Sequence, residues 1–223
     1  MKHIRSVTVL GAGTMGSQIA AHLANAGIPT LLLDLDTKTA ANGLKRARKL
    51  KPDPFFTKYT YQTIEVGGFD SHLAQISESD WVVEAVVEQL DVKQELLRKI
   101  ERHRSEDTIV SSNTSGIPIA TIAEGFSDSF RKHWLGTHFF NPPRYLPLLE
   151  VIPTTDTKPE VLKTMVEFGD RVLGKGVVVA KDTPNFIGNR IGLYGVMRVL
   201  EQLVNGNYTV EEIDAMTGPL LGR

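Results

Sequence analysis

Three glycines have a spacing that suits phosphate binding. Gly11, Gly13 and Gly16 in the run GAGTMG follow a short apolar run and precede residues with helical spacing. In a strand–turn–helix unit, the first glycine makes the tight turn, the second lets the backbone approach a pyrophosphate, and the third lets the helix pack closely. The N–H groups at the start of that helix face the phosphates. The run therefore predicts a dinucleotide site, to which we also assign Thr14 and Met15.

A carboxylate completes this motif. Asp34 ends the next apolar run, about 20 residues beyond the glycines, where a carboxylate accepts hydrogen bonds from an adenosine ribose and repels a 2′-phosphate. The predicted cofactor is therefore NAD rather than NADP. Asp36 is a weaker alternative for the same role. A glycine turn followed by a surface aspartate is the alternative without a ligand.

Side chains capable of acid–base chemistry occur in two later segments. Residues 111–116 (SSNTSG) follow a predicted strand, and residues 138–151 (HFFNPPRYLPLLEV) bring His138 and Glu150 onto neighbouring segments. Histidine is the side chain whose pKa suits proton transfer near neutral pH. Each feature alone also fits an ordinary turn, a core histidine or a charge at a strand end. Only their combination behind a dinucleotide motif indicates a reaction site.

These residues need strands and helices to position them, and the apolar pattern supplies an alternation of the two. Strands are predicted at 6–10, 30–33, 63–66, 81–87, 108–112, 134–140, 148–152 and 176–180, with helices at 15–26, 37–51, 90–104 and 158–173. Such alternation predicts an α/β fold, a Rossmann-type, doubly wound and mostly parallel sheet over residues 1–183. Ligands are expected outside the carboxyl ends of its strands.

From Pro184 the pattern becomes purely helical, and it predicts a second domain over residues 184–223. Pro184 suits a first helical position, and Thr209 with Glu212 has the spacing of a capping box at a second helix. Two helices that together amount to about 40 residues cannot bury a core of their own. We therefore expect the beginning of an all-α domain for substrate binding or dimerisation, truncated at Arg223.

Composition excludes several classes of function. The net charge of -1 and the 7% of aromatic residues give no basic surface with interleaved aromatics, so nucleic acid is not an expected partner. Without cysteine there is neither a disulfide framework nor a thiolate metal site, and we expect no metal. No apolar run approaches the ~20 residues that span a bilayer. The expected location is the cytoplasm, with no membrane partner.

Five motifs in order resemble the 3-hydroxyacyl-CoA dehydrogenases of fatty-acid β-oxidation. They are GAGTMG, VVEQLDVK, SSNTSG, GTHFFNPPRYLPLLEVIP and KDTPNFIGNR, and they span nearly the whole chain. The segments NPPRYLPLLEVIPT and MTGPLLGR are most similar to those of the long multifunctional bacterial or archaeal members. The resemblance implies reversible, NAD-dependent oxidation of an L-3-hydroxyacyl-CoA to a 3-ketoacyl-CoA. It also implies an acyl-CoA thioester as the substrate, and a homodimer or a place in a larger multifunctional chain.

The resemblance also implies roles for individual residues. His138 becomes the general base, Glu150 its carboxylate partner, Ser115 a contact of the substrate hydroxyl and Asn189 a second polar anchor. Nearer the cofactor, the implied contacts are Glu88 and Lys93 at the nicotinamide ribose and Asn113 near the nicotinamide. Lys93 is equally compatible with a solvated helix residue.

A basic run corresponds to the segment in which the family contacts CoA. It comprises Lys38, Lys45, Arg46, Arg48, Lys49 and Lys51. Phosphates of CoA suit such a run, but a solvated helix face explains it as well. The chain between Asp34 and the next strand is also shorter than the family pattern, which puts the CoA contacts in doubt.

Two other functions remain open from sequence. One is a related dehydrogenase that oxidises a hydroxy acid without CoA, and the other is a non-catalytic NAD-binding fragment. The basic run and the NPPRYL segment favour CoA, and measured activity would separate a fragment from either enzyme.

Overall fold

The computed structural model describes residues 3–218. Two compact units follow each other along the chain, and the division lies after Pro184. Each unit is described by itself below. The assignment of a cofactor domain to residues 1–183 and a substrate domain to residues 184–223 stays a prediction.

The first unit is built on one eight-stranded sheet. Its strands are β1 (Val7–Leu10), β2 (Thr30–Asp34), β3 (Ile64–Gly68), β4 (Trp81–Glu84), β5 (Ile109–Ser112), β6 (Trp134–Phe139), β7 (Leu148–Pro153) and β8 (Gly176–Val179). Their order is β3-β2-β1-β4-β5-β6-β7-β8. Strands β1 to β6 are parallel, whereas β7 pairs antiparallel with β6 and parallel with β8. The predicted α/β, doubly wound and mostly parallel architecture is confirmed.

The central strands are apolar runs because both faces of the sheet are covered. Val9 and Trp81 belong to a hydrophobic cluster that also contains residues of the first two helices. Val82 and Val110, at intervening strand positions, are also fully buried. A strand buried on both faces needs a continuous apolar run rather than alternation, and this is why the sequence predicted these strands to within a few residues.

The helices are α1 (Thr14–Asn25), α2 (Thr37–Ala47), α3 (Phe69–His72), α4 (Leu90–His103), α5 (Ile119–Ile122), α6 (Asp128–Lys132), α7 (Pro159–Arg171), α8 (Gly188–Val204) and α9 (Val210–Thr217). Two 3₁₀ segments cover Thr60–Thr63 and Leu73–Glu78. The long helices of the first unit lie where they were predicted. The single-turn helices were missed, because four or five residues are too few for a helical period to show.

The second unit starts its helix later than predicted. Asn185 and Phe186 adopt left-handed backbone angles, with φ of 62° and 47°. A right-handed helix cannot pass through them, so the prediction of Pro184 as a first helical position is wrong and α8 begins at Gly188. The capping box at α9 is confirmed, since Thr209 and Glu212 each bond the backbone N–H of the other.

The strand order places the first unit's site between β1 and β4. β2 and β3 lie on one side of β1, and β4 to β8 lie on the other. In open α/β sheets, ligands bind at the carboxyl ends of the strands where the order reverses in this way. The glycine run after β1, the aspartate ending β2 and the loop after β4 all lie at that edge. Among residues 3–218, the helices are either too short or too polar to cross a bilayer.

Candidate functional site

The glycine run forms the expected tight turn between β1 and α1. Gly11 has φ of 96°, which favours glycine, and a Cβ on Gly16 would lie 1.8 Å from the carbonyl oxygen of Gly11. A Cβ on Gly13, by contrast, would meet no atom within 4 Å. Gly13 is also the N-cap of α1 and has no side chain to cover the N–H groups of the first turn. The turn therefore leaves open space in front of N–H groups that no side chain caps, which fits a pyrophosphate.

Asp34 is fixed at the carboxyl end of β2 beside that turn. Its Oδ2 accepts a hydrogen bond from the N–H of Ala12 at 2.6 Å, and its Oδ1 accepts one from the N–H of Leu35 at 2.7 Å. Each carboxylate oxygen can accept more than one hydrogen bond. The carboxylate is therefore oriented by the backbone and keeps acceptor capacity for ribose hydroxyls.

A cavity of about 390 Å³ adjoins both features. Gly11, Gly13 and Asp34 line it together with residues after β4 and on α4. Its apolar wall consists of Leu35, Phe69, Val86, Val87, Val92 and Leu96. The sequence reasoning missed this wall. Leu35 is 73% exposed and Val87 58% exposed, and two exposed apolar side chains facing one cavity suit the flat face of a base.

The alternative carboxylate, Asp36, has another function. It is the N-cap of α2, and its side chain accepts a hydrogen bond from the N–H of Thr39 at 2.6 Å. The same N–H lowers the pKa of Asp36. Asp36 thus stabilises the start of a helix.

Lys93 lies in a buried ionic cluster and not on a solvated face. Its Nζ lies 2.7 Å from Oε1 of Glu84 and 3.2 Å from Oε2 of Glu88, and both Lys93 and Glu84 are fully buried. The solvated alternative is therefore wrong. Direct contact of Lys93 with a ribose stays a prediction. Sequence reasoning did not single out Glu84, because a glutamate at a strand end gives no sign of burial.

Glu88 joins the loop after β4 to the loop after β5. Its Oε1 accepts hydrogen bonds from the hydroxyl of Thr114 and from the N–H groups of Ser115 at 3.0 Å and Gly116 at 3.1 Å. Burial raises the pKa of Glu88, but the Thr114 hydroxyl and the charge of Lys93 outweigh it and hold the pKa below its ordinary value. The carboxylate is therefore ionised, and 45% of its side chain is exposed.

His138 and Glu150 are directly opposite each other on β6 and β7. Nδ1 of His138 lies 2.7 Å from Oε2 of Glu150, and Nε2 lies 3.2 Å from the hydroxyl of Ser115. His138 is 4% exposed and Glu150 is fully buried. When Nδ1 carries the ring proton and donates a hydrogen bond to Glu150, Nε2 keeps a lone pair. The arrangement can accept a proton at Nε2 from a hydroxyl placed beside Ser115.

The two asparagines occupy different units. Asn113 follows β5, and its side-chain oxygen accepts a hydrogen bond from the N–H of Phe139, next to His138, at 2.9 Å. It therefore holds the end of β6 and lies at the same edge of the sheet as Ser115. Asn189 lies in the first turn of α8, in the second unit.

The basic run forms part of α2 and the residues after it. Lys45, Arg46 and Lys49, together with Asn42, line a shallow cavity of about 210 Å³. Arg46 also donates to the carbonyl oxygen of Ala12 at 3.3 Å, and the guanidinium of Arg48 lies 3.6 Å from the centre of the Tyr61 ring. Three cations of the run therefore share one surface, whereas Arg48 stacks on an aromatic ring.

Two buried bases pack behind the strand of His138. His22 on α1 lies edge-on to Phe139 and bonds the carbonyl oxygen of Leu173 through Nε2 at 3.1 Å. Burial and the nearby charge of Lys175 lower the pKa of His22 to about 4. Burial lowers the pKa of Lys175 to about 8, and its ammonium bonds the carbonyl oxygens of Pro143 and Leu146. Lys175 therefore holds the loop after β6 from inside the molecule, whereas His22 is bonded to the segment after α7.

Another cavity, of about 780 Å³, lies at the amino ends of the strands. Its lining carries charges of both signs, including Arg5, Asp80, Asp107 and Lys158. None of the predicted site residues lines it. Within the part of the chain that is described, no three His, Asp or Glu side chains have an arrangement that could hold a metal ion.

Comparison with known proteins agrees with the geometry. The family model described as "3-hydroxyacyl-CoA dehydrogenase, NAD binding domain" matches residues 6–183. A probable 3-hydroxyacyl-CoA dehydrogenase of Bacillus subtilis is 47% identical and covers 100% of this chain, which spans 31% of that protein. Another, of Deinococcus radiodurans, is 48% identical over 99% of this chain and 66% of its own length. The crystal structure of Mycobacterium tuberculosis FadB2 is similar with a TM-score of 0.84 and 29% identity, over 100% of this chain and 79% of that one.

Proposed function

Because this chain belongs to the 3-hydroxyacyl-CoA dehydrogenase family, we propose that it catalyses the reversible NAD-dependent oxidation of an L-3-hydroxyacyl-CoA to a 3-ketoacyl-CoA. The observation that carries the proposal is the chain of contacts from Glu150 through His138 to Ser115. We place the reaction in fatty-acid β-oxidation. Residues 1–183 would bind the cofactor, and residues 184–223 would contribute helices to substrate binding.

The residues around the glycine turn fit NAD. Its pyrophosphate would lie over Gly13, where a Cβ would meet nothing, and its adenosine ribose would bond Asp34. Glu88 is ionised and partly exposed, so it can accept hydrogen bonds from the nicotinamide ribose. When bound, NAD supplies the acceptor for the hydride that leaves C3 of the substrate.

The protein's own groups manage the proton. Ser115 orients the 3-hydroxyl, whose proton passes to Nε2 of His138 as the C3–H bond breaks and the ketone forms. Glu150 keeps the proton of the starting imidazole on Nδ1 and stabilises the imidazolium that results. Because Glu150 is fully buried, its charge acts on His138 with little screening by water. In the reverse direction the imidazolium returns the proton to the oxygen.

Positive charge on α2 suits the CoA part of the substrate. Lys45, Arg46 and Lys49 face one shallow cavity, and Arg46 reaches back to the glycine turn. Phosphate groups are bound well by such convergent cations. We therefore assign the CoA phosphates to this surface.

The test follows NADH absorbance in the presence of acetoacetyl-CoA. We expect the chain to consume NADH and His138→Ala to lose roughly 10²–10⁴-fold in rate while binding NADH as tightly as before. His103→Ala, at the exposed end of α4, serves as the matched control. A His138→Ala variant with full turnover would show that His138 is not the general base. Turnover of a hydroxy acid or keto acid without CoA would overturn the proposed substrate. NADH binding with no turnover at all would overturn the proposed activity.

A further inference from the structure

One buried carboxylate has no part in the mechanism above. Glu84 ends β4, is fully buried, and lies opposite Ser112 in the register of β4 and β5. Its Oε1 accepts hydrogen bonds from Nζ of Lys93 and from the N–H of Val86, each at 2.7 Å, and its Oε2 accepts one from the hydroxyl of Ser112 at 2.5 Å. A buried carboxylate needs such partners, but these partners lead to two different loops.

The first path leads to the cofactor side. Lys93 lies between Glu84 and Glu88, at 2.7 Å and 3.2 Å from their carboxylates. Lys93 and Glu84 are both buried, whereas Glu88 is partly exposed. The position of the exposed carboxylate is therefore set by a buried ion pair.

The second path leads to the substrate side. The hydroxyl of Ser112 also accepts a hydrogen bond from the N–H of Thr114 at 3.1 Å, and the carbonyl oxygen of Glu84 accepts one from the N–H of Asn113 at 2.7 Å. These residues directly precede Ser115, whose hydroxyl lies beside Nε2 of His138.

The two paths meet again at Glu88. Its Oε1 accepts hydrogen bonds from Thr114 and from the N–H of Ser115. The contacts therefore form a closed ring that runs from Glu84 through Lys93 and Glu88 to Thr114 and back through Ser112. Groups in one buried network are energetically coupled.

We propose that Glu84 is a positioning residue that fixes the cofactor carboxylate Glu88 and the substrate hydroxyl contact Ser115 relative to each other, so that NAD and substrate bind cooperatively. This inference rests on the proposed function for the identity of the second ligand. The first half of the inference is that Glu84 links the loop after β5 to the cofactor site. This link can be tested without substrate.

The first experiment is therefore a double-mutant cycle on NADH binding alone, measured by NADH fluorescence. Ser112→Ala removes a buried hydroxyl that is remote from solvent, and we expect it to weaken NADH binding several-fold. In a Glu84→Gln background the same change should have a clearly smaller effect, because the route through Glu84 and Lys93 is already broken and only the route through Thr114 remains. Glu167→Gln, on the surface of α7, is the matched control for loss of a carboxylate.

A merely structural role would give another pattern. If Ser112→Ala leaves NADH affinity unchanged, or if the two effects are additive, the proposal is overturned. Should Glu84→Gln fail to fold by circular dichroism, Lys93→Gln replaces it in the cycle, since Lys93 is the next member of the same path. The unfolding midpoint of each variant in urea separates loss of fold from loss of the link.

The second experiment measures the affinity for acetoacetyl-CoA with and without saturating NAD, a mixture in which no turnover occurs. We expect NAD to tighten binding about fivefold or more, and Glu84→Gln to bring that factor close to one. Equal cooperativity in Glu84→Gln and the parent would overturn the coupling. Absence of acetoacetyl-CoA binding to the parent would instead contradict the proposed function and leave the NADH cycle to decide the role of Glu84.

Discussion

At the scale of single residues, we expect Asp34 to account for the choice of NAD over NADP. Asp34→Asn removes the charge and keeps the shape, so it should weaken NADH binding roughly 10-fold or more, since hydrogen bonds to a charged acceptor contribute about 1.5–3 kcal/mol. It should also reduce the discrimination against NADPH, because the repulsion of a 2′-phosphate is lost. Fluorescence titration with both nucleotides measures the two affinities.

Asp36→Asn is the control for that experiment. Asp36 caps α2, and asparagine is an equally good N-cap, so NADH affinity should not change. An unchanged NADH to NADPH ratio in Asp34→Asn would show that another group selects the cofactor.

His22 provides a residue-scale prediction about pH. Its pKa is about 4 in the folded protein, because of burial and then Lys175, against 6.5 in the unfolded chain. The unfolded chain therefore takes up a proton as the pH falls below 6.5, while the folded protein does not until about pH 4. The stability due to neutral His22 is complete above pH 6.5 and is lost as the pH falls towards 4.

His22→Gln removes this titration and keeps a donor for the carbonyl oxygen of Leu173. The free energy of unfolding should fall less between pH 7 and pH 5 in the variant than in the parent, by about 2 kcal/mol. Urea denaturation at the two pH values measures this difference, in which the other titrating groups cancel. Equal losses in both proteins would mean that His22 takes up its proton in the folded state.

At the scale of elements, two glycines in the turn between β1 and α1 are expected to have different roles. Gly16 is needed for folding, and Gly13 is needed for NADH binding. A Cβ on Gly16 would clash with the carbonyl oxygen of Gly11, so Gly16→Ala should lower the urea midpoint and abolish NADH binding. A Cβ on Gly13 meets nothing within 4 Å, so Gly13→Ala should keep the midpoint and still weaken NADH binding, because its methyl group takes the space of the pyrophosphate. If Gly13→Ala binds NADH as tightly as the parent, the pyrophosphate does not lie over this turn.

Elements with local signals were predictable from sequence. The glycines, the apolar runs and Asp34 lie within one βαβ unit, so spacing alone located them. Asn185 and Phe186 carry no such signal, since their left-handed angles arise from their surroundings, and the start of α8 was therefore wrong. Lys93 resembled a solvated lysine because its partner, Glu84, becomes its neighbour only when α4 packs beside β4. The register that joins His138 to Glu150 is likewise a property of the sheet and not of either segment.

At the scale of the whole molecule, the two units predict a division of labour. The residues assigned to the cofactor lie in the first unit, and Asn189 lies in the second. Asn189→Ala should therefore change NADH affinity by no more than about twofold. It should lower kcat/KM for acetoacetyl-CoA by roughly 10–100-fold, as expected when one hydrogen bond to a reacting oxygen is lost. Asn207→Ala, in the turn between α8 and α9, is the matched control. A loss of NADH affinity in Asn189→Ala would contradict the division.

The pairing of β6 with β7 has a consequence for how preparations of this protein should be assayed. Glu150 is flanked by Leu149 and Val151, both fully buried, so a sheet shifted by one residue would still be apolar but would set a hydrocarbon side chain opposite His138. Such a molecule keeps His138 but lacks the carboxylate that fixes its tautomer and stabilises its imidazolium, so it would be nearly inactive. A preparation with some misregistered chains would show fewer working sites at an undiminished turnover per site, and counting active sites would reveal it where a bulk rate would not.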